Sequence, residues 1–188
     1  MNTFFYGQRA QKERVEDIGI VHKLPLERVA NFDYFPDSLR IAMIGLLSKG
    51  QRDLSLVVAT RDTAKERKEW EKRLKKAEKK EELPKKVKPR WKLKELDYGI
   101  FGEMTMNMDV SPNGKSIVYT KFRYGKKQSL VFDIWKLDIE SKKKKLLTSS
   151  MRSNYPVFSP DSKKILFIAH HNSPTQLYIM DQDGGNVK

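Results

Sequence analysis

The sequence predicts a mainly β protein built from about three short antiparallel units, with one charged helix inserted among them. Three observations predict it. A turn followed by an apolar run occurs three times, at Phe35-Pro36-Asp37-Ser38-Leu39-Arg40-Ile41-Ala42-Met43-Ile44, Ser111-Pro112-Asn113-Gly114-Lys115-Ser116-Ile117-Val118-Tyr119-Thr120 and Ser159-Pro160-Asp161-Ser162-Lys163-Lys164-Ile165-Leu166-Phe167-Ile168. A second apolar run follows each copy at a similar distance: Leu54 to Val58, Ile134 to Asp138, and Leu177 to Asp181. Between Ala64 and Trp91, 28 residues dominated by Lys, Arg and Glu interrupt the repeat.

The repeated phrase has the chemistry of a tight turn feeding a strand. Proline presets φ at the second turn position, Asp or Asn bonds its own backbone, and Gly or Ser follows where little side chain is tolerated. Pro36, Pro112 and Pro160, with Ile41, Ile117 and Ile165 five positions on, are therefore structural. The run from Ile165 to Ala169 is apolar at consecutive positions, which predicts a strand covered on both faces. In the second copy a charged turn, Glu140 to Lys145, leads into a further short strand at Leu146-Leu147-Thr148. Each unit is then an antiparallel meander of about four strands, the size of one propeller blade, and the expected fold is an incomplete β-propeller.

Spacing locates the insertion. Pro112 to Pro160 is 48 residues, one blade, whereas Pro36 to Pro112 is 76. The excess of 28 equals the charged stretch, which reads as an insertion between two blades. Thr63 to Glu82 lacks Gly and Pro, has Glu69/Arg73 and Glu71/Lys75 at helical spacing, Asp62 or Thr63 as cap and Pro84 as stop, so it predicts one exposed helix. Trp70, Leu74 and Ala77 form a stripe wide enough to dock on a blade edge but too short for a coiled coil. The expected boundaries are an N-terminal segment at 1–31, part of a first blade at 32–62, the charged helical insertion at 63–92, a second blade at 93–150 and a third, lacking its last strand, at 151–188.

At Ser159-Pro160-Asp161-Ser162-Lys163-Lys164-Ile165-Leu166-Phe167, followed by Leu177-Tyr178-Ile179-Met180-Asp181-Gln182-Asp183-Gly184-Gly185-Asn186, the sequence resembles the propeller repeat of TolB-like proteins. The likeness covers roughly residues 30 to 188 and is fullest over 156 to 188. Ser38 and Ser162 stand where that repeat usually has Gly, and Phe35 where it has Ser. The same repeat builds the N-terminal propeller of prolyl-oligopeptidase and acylaminoacyl-peptidase relatives. Those propellers are also resembled by the charged insertion ending Pro89-Arg90-Trp91-Lys92, by Tyr98-Gly99 and by the Ile134-Trp135 strand. The peptidase resemblance implies a filter that limits access to a catalytic site, with the rest of the propeller or a hydrolase domain as partner. The TolB resemblance implies a module whose rim loops hold a protein or peptide.

A propeller closes with four to eight blades. Three copies, preceded by one strand at Ile18 to Val21 from an incomplete blade, predict a fragment of a larger propeller protein that would self-associate through open blade edges if isolated. No stretch has the apolar length of a membrane span, and Thr3-Phe4-Phe5-Tyr6 gives way too soon to Gln8-Arg9 for a secretory signal. The expected location is cytoplasmic, or periplasmic if a leader has been removed. Zero cysteines exclude disulfides and thiol chemistry.

The net charge of +14 is mostly local: residues 61 to 92 hold 15 Lys/Arg against 7 Asp/Glu. Without interleaved aromatic residues for base stacking, the sequence reading is a solvated Lys/Glu-rich insertion. A nucleic-acid or acidic-partner binder working through this helix ranks third among the functional readings, behind the peptidase propeller and the TolB-like module.

No G-x-S-x-G nucleophile elbow occurs, so hydrolase chemistry would need a domain beyond Lys188. The histidines are His22, His170 and His171; the His170-His171-Asn172 run reads as a connecting loop, since adjacent residues on an extended chain point apart. Asp181-Gln182-Asp183-Gly184-Gly185-Asn186 starts like a calcium loop, but turn chemistry accounts for its carboxylates. The sequence nominates no catalytic, cofactor-binding or metal-binding residue, and no cofactor.

Overall fold

The computed structural model describes residues 26–80, 82–100, 107–125, 129–170 and 174–188. The expected strand at Ile18 to Val21, together with His22, His171 and Asn172, lies outside them. The chain divides into two compact units, one formed by 26–60 with 93–188, the other including 61–92.

The larger unit is an array of antiparallel sheets. Strands β1 (Arg28–Tyr34), β2 (Arg40–Leu46), β3 (Leu54–Arg61) and β4 (Trp91–Ile100) form the first in that order. β5 (Met108–Val110), β6 (Ser116–Tyr124), β7 (Leu130–Asp138) and β8 (Lys144–Leu146) form the second. β9 (Ser153–Phe158), β10 (Lys164–Ala169) and β11 (Gln176–Asp181) form the third, three-stranded among the described residues. The fold is an incomplete propeller of three meandering blades.

The first sheet sets its limits differently from the sequence reading. Its first strand begins at Arg28, and β4 joins it as the fourth strand, so the charged stretch interrupts the first blade between its third and fourth strands and does not separate two blades. β4 lies just before the second turn phrase and carries no repeat signature of its own; only pairing across the sheet shows which blade owns it. The excursion closes on itself, because Asp62 N–H donates to the Arg90 carbonyl at 2.7 Å.

All three turn phrases fold alike. Ser38, Gly114 and Ser162 donate backbone N–H to the carbonyls of Phe35, Ser111 and Ser159 at 2.9, 2.7 and 2.8 Å, and each sits at positive φ, near 55°, 68° and 61°. In copies two and three the Ser111 and Ser159 hydroxyls accept from the Ser116 and Lys164 amides, both at 2.9 Å. Phe35 has no hydroxyl, and there Asp37 Oδ1 accepts from both Leu39 and Arg40 amides, at 2.9 and 3.1 Å. The substitution is thus compensated within the same turn.

The core follows from side-chain alternation. On β6, Ile117 and Tyr119 join Ala42, Ile44, Leu56 and Val58 of the first sheet. Val118 between them turns the other way, joining Ile134, Phe158, Ile165 and Phe167 against the third sheet. β2 is buried on both faces, as its continuous apolar run predicts. β10 departs from that expectation: Ile165, Phe167 and Ala169 are buried, while Leu166 is 41% exposed. No described strand lies over Leu166, and a run that could fill two interfaces fills one.

In the other unit, α1 (Thr63–Glu78) starts at Asp62, whose side chain accepts from the Lys65 amide. The Glu69–Arg73 pair forms at 2.5 Å, but Glu71 pairs with Arg67 at 3.1 Å and not with Lys75. Ala77 is buried, whereas Trp70 and Leu74 stay 40% and 38% exposed.

Candidate functional site

β1, β5 and β9 are the first strands of their blades, and β1 touches β5 as β5 touches β9. Where these strands run into their turns, they line a cleft of about 590 Å³. Tyr34, Phe35 and Pro36 come from the first blade, Val110, Ser111 and Pro112 from the second, Val157, Phe158 and Pro160 from the third. The repeat therefore places chemically equivalent positions side by side.

Two carboxylates join the blades here. Asp33 Oδ2 accepts the Val110 amide at 2.7 Å, and Asp109 Oδ2 accepts the Phe158 amide at 2.7 Å. Both Asp residues stand three positions before the turn proline, and the third copy has Val157 there, 49% exposed. Each carboxylate thus clamps the first strand of the next blade. Sequence reasoning passed over Asp33 and Asp109; their equal distance from Pro36 and Pro112 was the signal that could have found them. Burial, helped by the neighbouring Asp33 carboxylate and opposed by the Phe158 amide, pushes the Asp109 carboxyl up to about 6. Below about pH 6 Asp109 therefore carries a proton. The pair's chemistry is hydrogen-bond donation and acceptance toward a polar guest, with the exposed Tyr34 ring as an apolar flank.

The residues singled out from sequence lie elsewhere. His170 Nδ1 is 2.9 Å from the Thr175 hydroxyl, within its own connecting segment. Asp181 bonds Lys164 Nζ at 2.5 Å and Asn186 Nδ2 at 2.6 Å, and Asp183 accepts the Gly185 amide at 3.0 Å, so these carboxylates serve their own hairpin. Among the described residues, no three His, Cys, Asp or Glu side chains converge as a metal site would require.

A second ionic centre joins the first two blades away from the cleft. The buried Asp97 carboxylate of β4 receives Lys144 Nζ at 2.7 Å, Lys121 Nζ at 3.0 Å and the Tyr119 hydroxyl at 2.7 Å. Burial alone would raise its pKa; these donors outweigh it and hold the carboxyl below the usual range.

Taken together, the blades, the shared turn network and the rim cleft define a β-propeller repeat segment, whose fold is that of TolB-like and peptidase-associated propellers. No family model matches the sequence, and no curated protein matches it. Among solved structures, TolB from Acinetobacter baumannii is similar with a TM-score of 0.57 at 18% identity, over 86% of this chain and 31% of that one. The β-propeller domain of the trilobed protease from Pyrococcus furiosus gives 0.52 at 16%, over 87% and 41%. Pyrococcus horikoshii acylaminoacyl peptidase gives 0.50 at 12%, over 85% and 24%. The chain thus spans well under half the length of each.

Proposed function

We propose that the chain is a non-catalytic propeller segment of a serine peptidase of the prolyl-oligopeptidase or acylaminoacyl-peptidase kind, governing which substrates reach the catalytic site. One observation carries the reading: the rim cleft is assembled from the same turn position in three successive blades, so a peptide meeting it is judged by the array and not by any single blade. Two of the similar solved structures are a protease propeller and an acylaminoacyl peptidase, which supports the choice of parent. The cleft offers a carboxyl pair, a tyrosine ring and proline edges, groups suited to a peptide's amides and amines.

The test is the parent reading frame past Lys188, followed by kinetics on the whole protein. An α/β-hydrolase region with a nucleophile elbow, and a Tyr34→Ala/Asp109→Asn variant whose kcat/KM changes for long peptides and not for a dipeptide substrate, are the expected results. Further repeats without a hydrolase region would sink the peptidase reading and favour the TolB-like interaction module, which the similarity to TolB supports.

A further inference from the structure

The charges of α1 are sorted in a way that the composition of the segment conceals. Glu66 pairs with Arg61 at 2.9 Å, Glu69 with Arg73 at 2.5 Å and Arg90 at 2.6 Å, and Glu71 with Arg67 at 3.1 Å. These arginines take up the glutamates of the first two turns and leave the lysines aside. Lys68, Lys72, Lys75, Lys76 and Lys79 are all exposed and carry no ion pair among the described residues. At about 100° per residue they fall within an arc about 100° wide, opposite Trp70, Leu74 and Ala77. With a rise of 1.5 Å per residue they extend about 16 Å along the helix, in steps of about 5 to 6 Å.

Such a stripe opposes its own helix. Lys68/Lys72, Lys72/Lys76 and Lys75/Lys79 are like charges four residues apart, each mildly destabilising. An anion array laid along the arc removes that repulsion. Lys76, at the edge of the stripe, also borders a cleft of about 340 Å³ over Ala77 and Pro84, where Arg73, Lys80 and Lys85 meet the Glu82 carboxylate.

We infer that this lysine face is a docking surface for the backbone of duplex nucleic acid, read by charge and not by sequence. Lysine is a point charge that fits phosphate, while the arginine forks needed for base edges or bidentate carboxylate contacts are already engaged by glutamates. The arc carries no apolar side chain to anchor an acidic peptide. The opposite face has only two exposed apolar residues, Trp70 and Leu74, too few to insert into a lipid surface. Duplex DNA, with one charge per about 1.7 Å of axis, offers a linear row of phosphates dense enough to meet every lysine of the stripe.

The test is fluorescence anisotropy of the full chain with a 20-base-pair DNA duplex between 50 and 200 mM KCl. The five lysines on phosphates give a slope of log K against log salt of about −4.5. Lys72→Gln/Lys79→Gln, with helicity checked by circular dichroism, is expected to flatten that slope by about 1.8. Lys142→Gln/Lys143→Gln removes the same charge from an exposed turn and is expected to leave the slope unchanged. Equal losses in both variants, no salt-dependent binding, a preference between two duplex sequences, or binding of polyglutamate or phosphatidylserine vesicles as tight as that of DNA would each overturn the proposal.

Discussion

The two blade junctions use one shared device and then diverge. At both, an Asp before the turn accepts an amide from the next blade's first strand, Asp33 from Val110 and Asp109 from Phe158. Beyond that, the first junction is held by charge, through Asp97 with Lys121, Lys144 and Tyr119. The second is held mainly by neutral groups, with one lysine, Lys136, whose Nζ donates to Gln182 Oε1 at 2.9 Å. Asn154 Oδ1 accepts from Asn107 Nδ2 and Thr120 Oγ1, both at 2.9 Å, and the Ser162 hydroxyl accepts the Asn113 amide at 3.1 Å. The repeat dictates the common bond, and the residues outside it decide whether a junction responds to pH as an ion pair or as an amide network.

The largest effect is expected at the ionic junction. Asp97→Ala leaves two lysines without their carboxylate and is predicted to cost about 3 kcal/mol, measured by urea denaturation at pH 7. Because the folded pKa of Asp97 lies below its ordinary value, its contribution is present above about pH 4 and is lost as pH falls through the folded pKa. The variant is therefore expected to approach wild type in acid. An Asp97→Ala protein with an unchanged denaturation midpoint would remove the contrast between the junctions.

Next in size is a contrast within β10. Ile165→Ala, at a fully buried position, is predicted to cost about 3 kcal/mol, and Leu166→Ala, one residue on, under about 1 kcal/mol. Equal costs would mean that the outer face of the third blade is covered in solution.

Asp109 tests the shared device with the opposite sign. Its folded pKa of about 6 lies above the ordinary 3.8, so the folded state holds the extra proton and stability falls as pH rises across that window. Asp109→Asn keeps an oxygen for the Phe158 amide and removes the charge. Its melting temperature is expected to exceed wild type at pH 8 and to converge with it below pH 4; a constant offset at all pH values would show that burial beside Asp33 does not set this group.

The smallest effect separates two serines at equivalent positive φ. Ser38→Gly relieves the left-handed backbone and is predicted to stabilise by about 0.5 kcal/mol. Ser162→Gly gains the same relief but loses the bond to Asn113 across the second junction, so its net change is expected to be zero or negative. Thermal melts of the two variants side by side decide it.

The turns, the strands they feed and the charged helix were legible from the residues alone, because they rest on contacts within a few residues: proline at the second position, Asp or Asn over its own amides, the Asp62 cap. The sequence could not assign β4 to the first blade, since strand ownership is a matter of pairing across the sheet. The rim was half legible. Asp33 and Asp109 keep the same distance from their prolines, yet that each reaches the next blade depends on how three first strands lie together. The lysine stripe depended on which cation each glutamate chose, a competition among side chains at helical spacing that tertiary structure settles in favour of arginine. Only the assembled blades decided which face of each apolar run is covered, because a strand states how much surface it can bury while its neighbours supply the surface that buries it.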